Sequence, residues 1–188
     1  MYAALPSPRV PPPVLLTTAR LHLRPYQAAD ADAFFAVLDQ SRTRLHDSFP
    51  TRVAEVQTPA DAIRTLAQFA HDWRTGRLYV LGIWHAATGR YLGDISLRPS
   101  WAAPVSAEIG YYLAADAEGH GYAREALAAA VQFGFAAPLS AAHFTLRCRR
   151  NNPRSMAVAE AVGFRPVAVR RLWLSRPADI VHFRLDRP

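Results

Sequence analysis

The stretch from Ser106 to Ala136 constrains the fold more than any other part of this chain. From Ser106 to Leu113, apolar Ala107, Ile109, Tyr111 and Leu113 alternate with Ser106, Glu108, Gly110 and Tyr112. That period of two predicts a half-buried strand. A short loop follows, Glu118-Gly119-His120-Gly121, and it opens directly into a helical pattern from Tyr122 to about Ala136. Tyr122, Ala126, Ala129, Ala130 and Phe133 share one face of that helix, and Pro138 lies just beyond its end. The first turn of a helix leaves N–H groups without intrahelical acceptors, and the aligned peptide dipoles favour negative charge there. Gly119 and Gly121 carry no Cβ, so an anion can approach the backbone closely. The segment therefore predicts a cradle for a phosphate or pyrophosphate.

Two common phosphate-binding designs do not fit. A P-loop requires Lys after its second Gly, and all 22 basic residues of this 188-residue chain are Arg. A dinucleotide fingerprint requires a third Gly and a parallel sheet beginning near the N-terminus. By itself, a G-x-G spacing marks no more than a turn.

The flanking sequence supplies the rest of a sheet. Arg20 to Arg24 alternates like a strand and Pro25 ends it. Asp30 is placed to cap a helix from Ala31 to Leu38, with Phe34, Phe35 and Leu38 on its apolar side. Asp39 to Thr58 reads as loop or broken helix. Pro59 suits a first helical turn, and Ile63, Leu66, Ala67, Ala70 and Trp73 continue at helical spacing until Gly76. Leu78 to Trp84 and Tyr91 to Leu97 flank Thr88-Gly89 and predict a β-hairpin. His143 to Cys148 is a further strand. Asn151-Asn152-Pro153 starts a helix that stops at Gly163, and Phe164 to Trp173 and Ile180 to Leu185 close the chain as two more strands. The order predicts an α+β fold, with a mixed sheet and helices on both faces. Length and 51% hydrophobic content suit one domain over 15–188, preceded by a loose Pro-rich arm over 1–14.

Composition narrows the classes. No apolar run approaches the ~18 residues of a membrane span, and no membrane association is expected. The opening lacks the continuous apolar stretch of a signal peptide. Cys148 is the only cysteine, so no intrachain disulfide forms; a reducing, cytoplasmic setting is expected. The seven His form no H-x-x-x-H or His/Cys cluster, so no metal is expected. The net charge of +7 lies wholly in residues 144–188, where ten Arg face Glu160, Asp179 and Asp186. Such a field favours an anionic ligand, a phosphorylated cofactor, an acidic peptide or RNA, with a solvated basic surface as the plain alternative. No stable nucleic-acid binding is expected, and the chain is expected to be a monomer or homodimer.

Two blocks of sequence carry a family resemblance. Glu108-Ile109-Gly110-Tyr111-Tyr112-Leu113 followed by Glu118-Gly119-His120-Gly121-Tyr122-Ala123-Arg124-Glu125-Ala126 resembles the acetyl-CoA motif of the GNAT superfamily of N-acetyltransferases. Asn152-Pro153-Arg154-Ser155, with Val158 to Phe164, is similar to that superfamily's N-x-x-S … G-F helix. Thr17 to Arg24 and Asp179 to Leu185 resemble the ends of the RimJ/RimL branch, which acetylates protein N-termini. The resemblance implies a mostly antiparallel sheet of six or seven strands, splayed between the strands at 106–113 and 143–148. Acetyl-CoA would lie in the split as cosubstrate. Its pyrophosphate would meet Glu118, Gly119, His120, Gly121, Tyr122 and Ala123, and its pantetheine would pair with the backbone near Leu113. Asn152 and Ser155 would complete the cofactor side, with helix capping as the default role of Asn152.

Amine attack on a thioester needs a neutral amine, a donor for the oxyanion and a proton for the leaving thiolate. Glu108 is the candidate base and Ser155 the candidate acid. The alternatives are a surface carboxylate paired with Arg and an ordinary first-turn residue. Tyr112, Trp84 and Trp101 are candidates for the acceptor wall, against core packing. The sequence departs from the family in two places. Glu118 stands where Gln or Arg is usual, and Ala159 replaces the Tyr that serves many relatives as proton donor. The acceptor expected is a protein N-terminal amine. The alternatives are a small-molecule amine (polyamine, amino acid or aminoglycoside) and a non-catalytic acyl-CoA-binding module.

Overall fold

The computed structural model describes residues 14–168 and 179–188. The arm expected over 1–14 lies, Val14 apart, outside the described residues, as does 169–173 of the strand expected from Phe164. One sheet contains β1 (Leu16–Thr17), β2 (Leu21–Arg24), β3 (Tyr79–His85), β4 (Tyr91–Ser100), β5 (Ser106–Leu113), β6 (His143–Arg149), β7 (Arg165–Val167) and β8 (Ile180–Asp186). Their order is β1-β2-β3-β4-β5-β6-β8-β7. Among the described residues the sheet has eight strands, where six or seven are expected. The added one is β1, whose two residues are too short to carry an alternating pattern. All pairings are antiparallel except β5 with β6.

The helices are α1 (Ala31–Gln40), α2 (Arg42–Leu45), α3 (Pro50–Glu55), α4 (Pro59–Thr75), α5 (Tyr122–Phe135) and α6 (Pro153–Ala161). The ambiguous stretch 39–58 resolves into the two short helices α2 and α3. At α4 the Thr58 side chain accepts from the Asp61 N–H while the Asp61 carboxylate returns to the Thr58 N–H. That capping box, with Pro59 in the first turn, starts the helix, and Gly76 at φ 68° ends it. Asp30 behaves differently from the sequence expectation. It precedes α1 with helical φ and ψ of −83° and −5° and makes no side-chain cap. A 3-10 turn already leads into α1, so the carboxylate turns back to the Gln27 N–H at 2.7 Å and to Arg24.

Alternation along the central strands separates two apolar layers. On one side, Ile95, Ala107, Ile109 and Leu113 pack with Ala126, Leu127, Ala130 and Phe133 of α5. On the other, Val80, Trp84, Tyr91 and Tyr112 pack with Phe34 and Leu38 of α1, Val53 of α3, and Leu66 and Phe69 of α4. Gly134 brings α5 close to the sheet: a Cβ there would meet Phe144 Cζ at 2.5 Å and Leu97 Cδ2 at 2.9 Å.

The feature that positions the site is a split in this sheet. β5 pairs with β6 only over Ser106–Ile109 and His143–Leu146. Beyond that, β5 stays on β4 as far as Leu113, and β6 stays on β8 as far as Arg149. Gly110 to Leu113 and Arg147 to Arg149 therefore border a wedge between strands that no longer bond to each other.

Candidate active site

Strand geometry decides what the wedge presents. The Ala114 N–H donates to the Leu92 carbonyl on β4 at 2.7 Å. The Leu113 carbonyl belongs to the same peptide and so faces the opposite way, into the split. It accepts from Arg44 Nη2 of α2 at 2.5 Å.

The loop between β5 and α5 lies at the wide end of the split. Gly119 and Gly121 adopt φ of +83° and +80°, conformations that a side chain disfavours. A Cβ on Gly119 would meet nothing within 4 Å, so this turn is open and not packed shut. Among the described residues, no acceptor is bonded to the N–H groups of Gly119, His120 or Gly121. Those of Tyr122 and Ala123 belong to the first helical turn, which has no acceptor of its own. An anion of diphosphate size fits this row of donors.

Arg20 and Glu125 hold the loop in place. The Glu125 carboxylate accepts from Thr18 Oγ1 at 2.5 Å, from the Arg20 N–H at 2.8 Å and from Arg20 Nε at 2.8 Å. Arg20 Nη1 also donates to the His120 carbonyl at 2.9 Å, and its guanidinium lies over the Tyr122 ring. Burial pushes the Glu125 pKa up, but the bonds from Thr18 and Arg20 outweigh it and hold the carboxyl below its usual range.

Ser155 stands in the first turn of α6, and Asn152 Oδ1 caps that helix by accepting the Ser155 N–H at 3.0 Å. The Ser155 hydroxyl meets Tyr111 Oη of β5 at 3.1 Å and Cys148 Sγ of β6 at 3.2 Å. Three hydroxyl and thiol groups from three elements thus meet across the split. Burial pushes the Tyr111 phenol up to about 12 and raises the Cys148 thiol. Both are therefore protonated near neutral pH, and Tyr111 can act as a donor to Ser155.

Glu108 lies on the other face of β5, with Gly110 and Tyr112. Arg147 Nε donates to Glu108 Oε1 at 2.7 Å and Arg147 Nη2 reaches the same oxygen at 2.5 Å. Oε2 carries neither contact. The structure does not bring Glu108 and Ser155 together; they sit on opposite faces of the sheet beside the split.

The three aromatic candidates separate as well. Tyr112 is buried, edge-on to Phe49 at 5.4 Å, with its hydroxyl 3.4 Å from that of Tyr91. Trp84 is buried among Tyr26 and Tyr91, beneath the Arg24 guanidinium at 3.8 Å. Trp101 sits in the β4–β5 turn, at the end of β5 away from Leu113, and donates to the Gly76 carbonyl at 2.9 Å. Only Tyr112 borders the split. Two residues that the sequence reading did not single out do meet there. Arg44 of α2 and Arg154 of α6 both bond to the Glu118 carboxylate.

Comparison with known proteins gives the family. The profile of the acetyltransferase (GNAT) domain matches residues 20–165. The chain belongs to that family and is an N-acetyltransferase. No curated protein sequence matches it. Solved structures similar to it include RimL, a ribosomal L7/L12 alpha-N-protein acetyltransferase in complex with coenzyme A. That match has 17% identity, covers 92% of this chain and 98% of the other, and has a TM-score of 0.78. The ribosomal-protein-S5-alanine acetyltransferase of Vibrio fischeri matches at 18% identity, 92% and 96% coverage and TM-score 0.78. The microcin C7 self-immunity acetyltransferase MccE, in complex with acetyl-CoA and AMP, matches at 19%, 90% and 94%, with TM-score 0.77. At these identities the likeness establishes the shared fold.

Proposed function

We propose that this N-acetyltransferase takes its acetyl group from acetyl-CoA and transfers it to the amine of a protein N-terminus. The open row of N–H donors from Gly119 to Ala123, set at the mouth of the β5–β6 split, carries the reading. That row suits the cosubstrate's diphosphate, and the Leu113 carbonyl facing the split suits its pantetheine amides. Neighbours described as complexes with acetyl-CoA or coenzyme A support the cosubstrate. Two neighbours described as ribosomal-protein acetyltransferases support the acceptor.

Bound acetyl-CoA supplies an activated acetyl thioester. The chain's own groups then divide the proton work. Glu108 Oε2 takes the proton of the incoming ammonium, directly or through water, while Arg147 fixes the carboxylate through Oε1. Ser155 Oγ delivers a proton on the other face of the sheet, and Tyr111 Oη replenishes it. Base and acid on opposite faces allow the acceptor and the departing thiol to occupy different sides of one split. Tyr112 and Phe49 form the wall beside the acceptor.

The test is thiol release from acetyl-CoA with N-terminal peptides, small amines and no acceptor. Peptide-dependent release is expected, and Glu108→Gln and Ser155→Ala should each lower kcat by ~100-fold, the usual scale of proton-transfer catalysis. Release driven only by small amines would move the acceptor to that class. Tight acetyl-CoA binding with no release for any amine would favour a binding module.

A further inference from the structure

We propose that Glu118 is an internal counter-anion that competes with the diphosphate of coenzyme A for the guanidiniums of Arg44 and Arg154. It thereby sets how tightly the cosubstrate is held. The inference rests on the acetyl-CoA reading above and adds to it a residue pair and a control on affinity.

Three observations converge on this carboxylate. Arg44 comes from α2 and Arg154 from the first turn of α6, so the two guanidiniums reach Glu118 from separate elements beside the split. Arg44 bonds Oε1 and Arg154 bonds Oε2 at 3.2 Å, so one carboxylate uses both oxygens to hold both cations. Glu118 directly precedes Gly119, where the row of open N–H donors begins. Arg44 also donates to the Leu113 carbonyl, which ties the same cation to the inner part of the split.

The physical consequence is an exchange. Guanidinium binds carboxylate and phosphate with the same forked donor geometry. A diphosphate brings more charge and more acceptor oxygens than a carboxylate, so it can take over both cations. The displaced carboxylate stays in the chain next to the site and opposes the incoming charge. Glu118 is partly exposed, and solvent and salt limit an ion pair of this kind. The effect on affinity is therefore moderate, about three- to tenfold.

The experiment is calorimetric titration of the full chain with coenzyme A and with pantetheine, which lacks the phosphates. Glu118→Gln should tighten coenzyme A about fivefold and leave pantetheine unchanged. Arg44→Gln and Arg154→Gln should each loosen coenzyme A about two- to fivefold, and they stand as independent variants if Glu118→Gln folds poorly. Unchanged or weaker coenzyme A binding by folded Glu118→Gln overturns the proposal, as does equal tightening of pantetheine. Ordinary wild-type binding in that case would leave the acetyl-CoA reading intact. A wild-type chain that binds no coenzyme A would overturn both.

Discussion

Ser155 illustrates how far a single side chain can be read. Its place in the first turn of α6 follows from the Asn152-Pro153 start, and the surrounding motif marks its hydroxyl. Its partners Tyr111 and Cys148 lie on different strands, at sequence separations of 44 and 7, and no periodicity links them. Tyr111→Phe should lower kcat about three- to tenfold with little change in the KM for acetyl-CoA, because it removes a hydroxyl from Ser155 and leaves the cradle alone. Gly119→Ala provides the converse case. The new methyl has open space, so the fold should survive with a cost of about 1–2 kcal/mol for the left-handed backbone. That methyl would stand over the donor row, and coenzyme A affinity should fall about tenfold or more in the same calorimetric titration. Arg44 was not legible because it lies in the aperiodic stretch 39–58, 69 residues from Leu113.

At the scale of elements, α5 is set by two contacts of different kinds. Gly134 allows close packing on Phe144 and Leu97. Gly134→Ala should destabilise the protein by about 1–3 kcal/mol in denaturant unfolding, since the added carbon has no room. At the other end, Glu125 ties the first turn of α5 to Thr18 and Arg20. Glu125→Gln should cost about 1–2 kcal/mol and loosen the loop that carries the donors. The pH dependence follows in sign. Because the folded carboxyl titrates below its usual value of about 4.3, its contribution is present above that pH. It is lost as pH falls through the lowered value, and Glu125→Gln should remove that part of the acid unfolding profile. Helix α4 shows why some elements are easy to read. Thr58, Pro59, Asp61 and Gly76 write its start and stop into adjacent residues. Strand β1 is not legible in the sequence because two residues hold no pattern, and Asp30 turns away from α1 because Arg24 and the 3-10 turn compete for it.

Across the whole molecule, the two sides of the sheet are held differently. The α5 side is apolar, whereas the side under α1, α3 and α4 contains a buried ionic network. Asp94 on β4 is 1% exposed and accepts from Arg52 of α3 at 2.5 Å and from Tyr26 Oη at 3.1 Å. Tyr26 in turn meets Tyr91, which stands near Tyr112. Burial pushes the phenol of Tyr26 well up, with the Asp94 charge adding to it. Asp94→Asn leaves the Arg52 cation buried and unpaired. It should destabilise the fold by about 3–5 kcal/mol and lower the melting temperature by roughly 10 °C. Near-complete retention of the melting temperature would show that α3 does not depend on this pair.

Local chemistry in the sequence was enough to determine the strand, the two-glycine loop and the helix that follows, because period, backbone freedom and helix-end polarity act over a few adjacent residues. It also determined the order of elements and hence a mixed sheet. Only the tertiary structure decided where β5 parts from β6, which oxygen of Glu108 Arg147 occupies, and that Arg44 and Arg154 share Glu118. Those features depend on strand pairing and on contacts between distant segments, and nothing in the spacing of residues along the chain encodes a distance across a split.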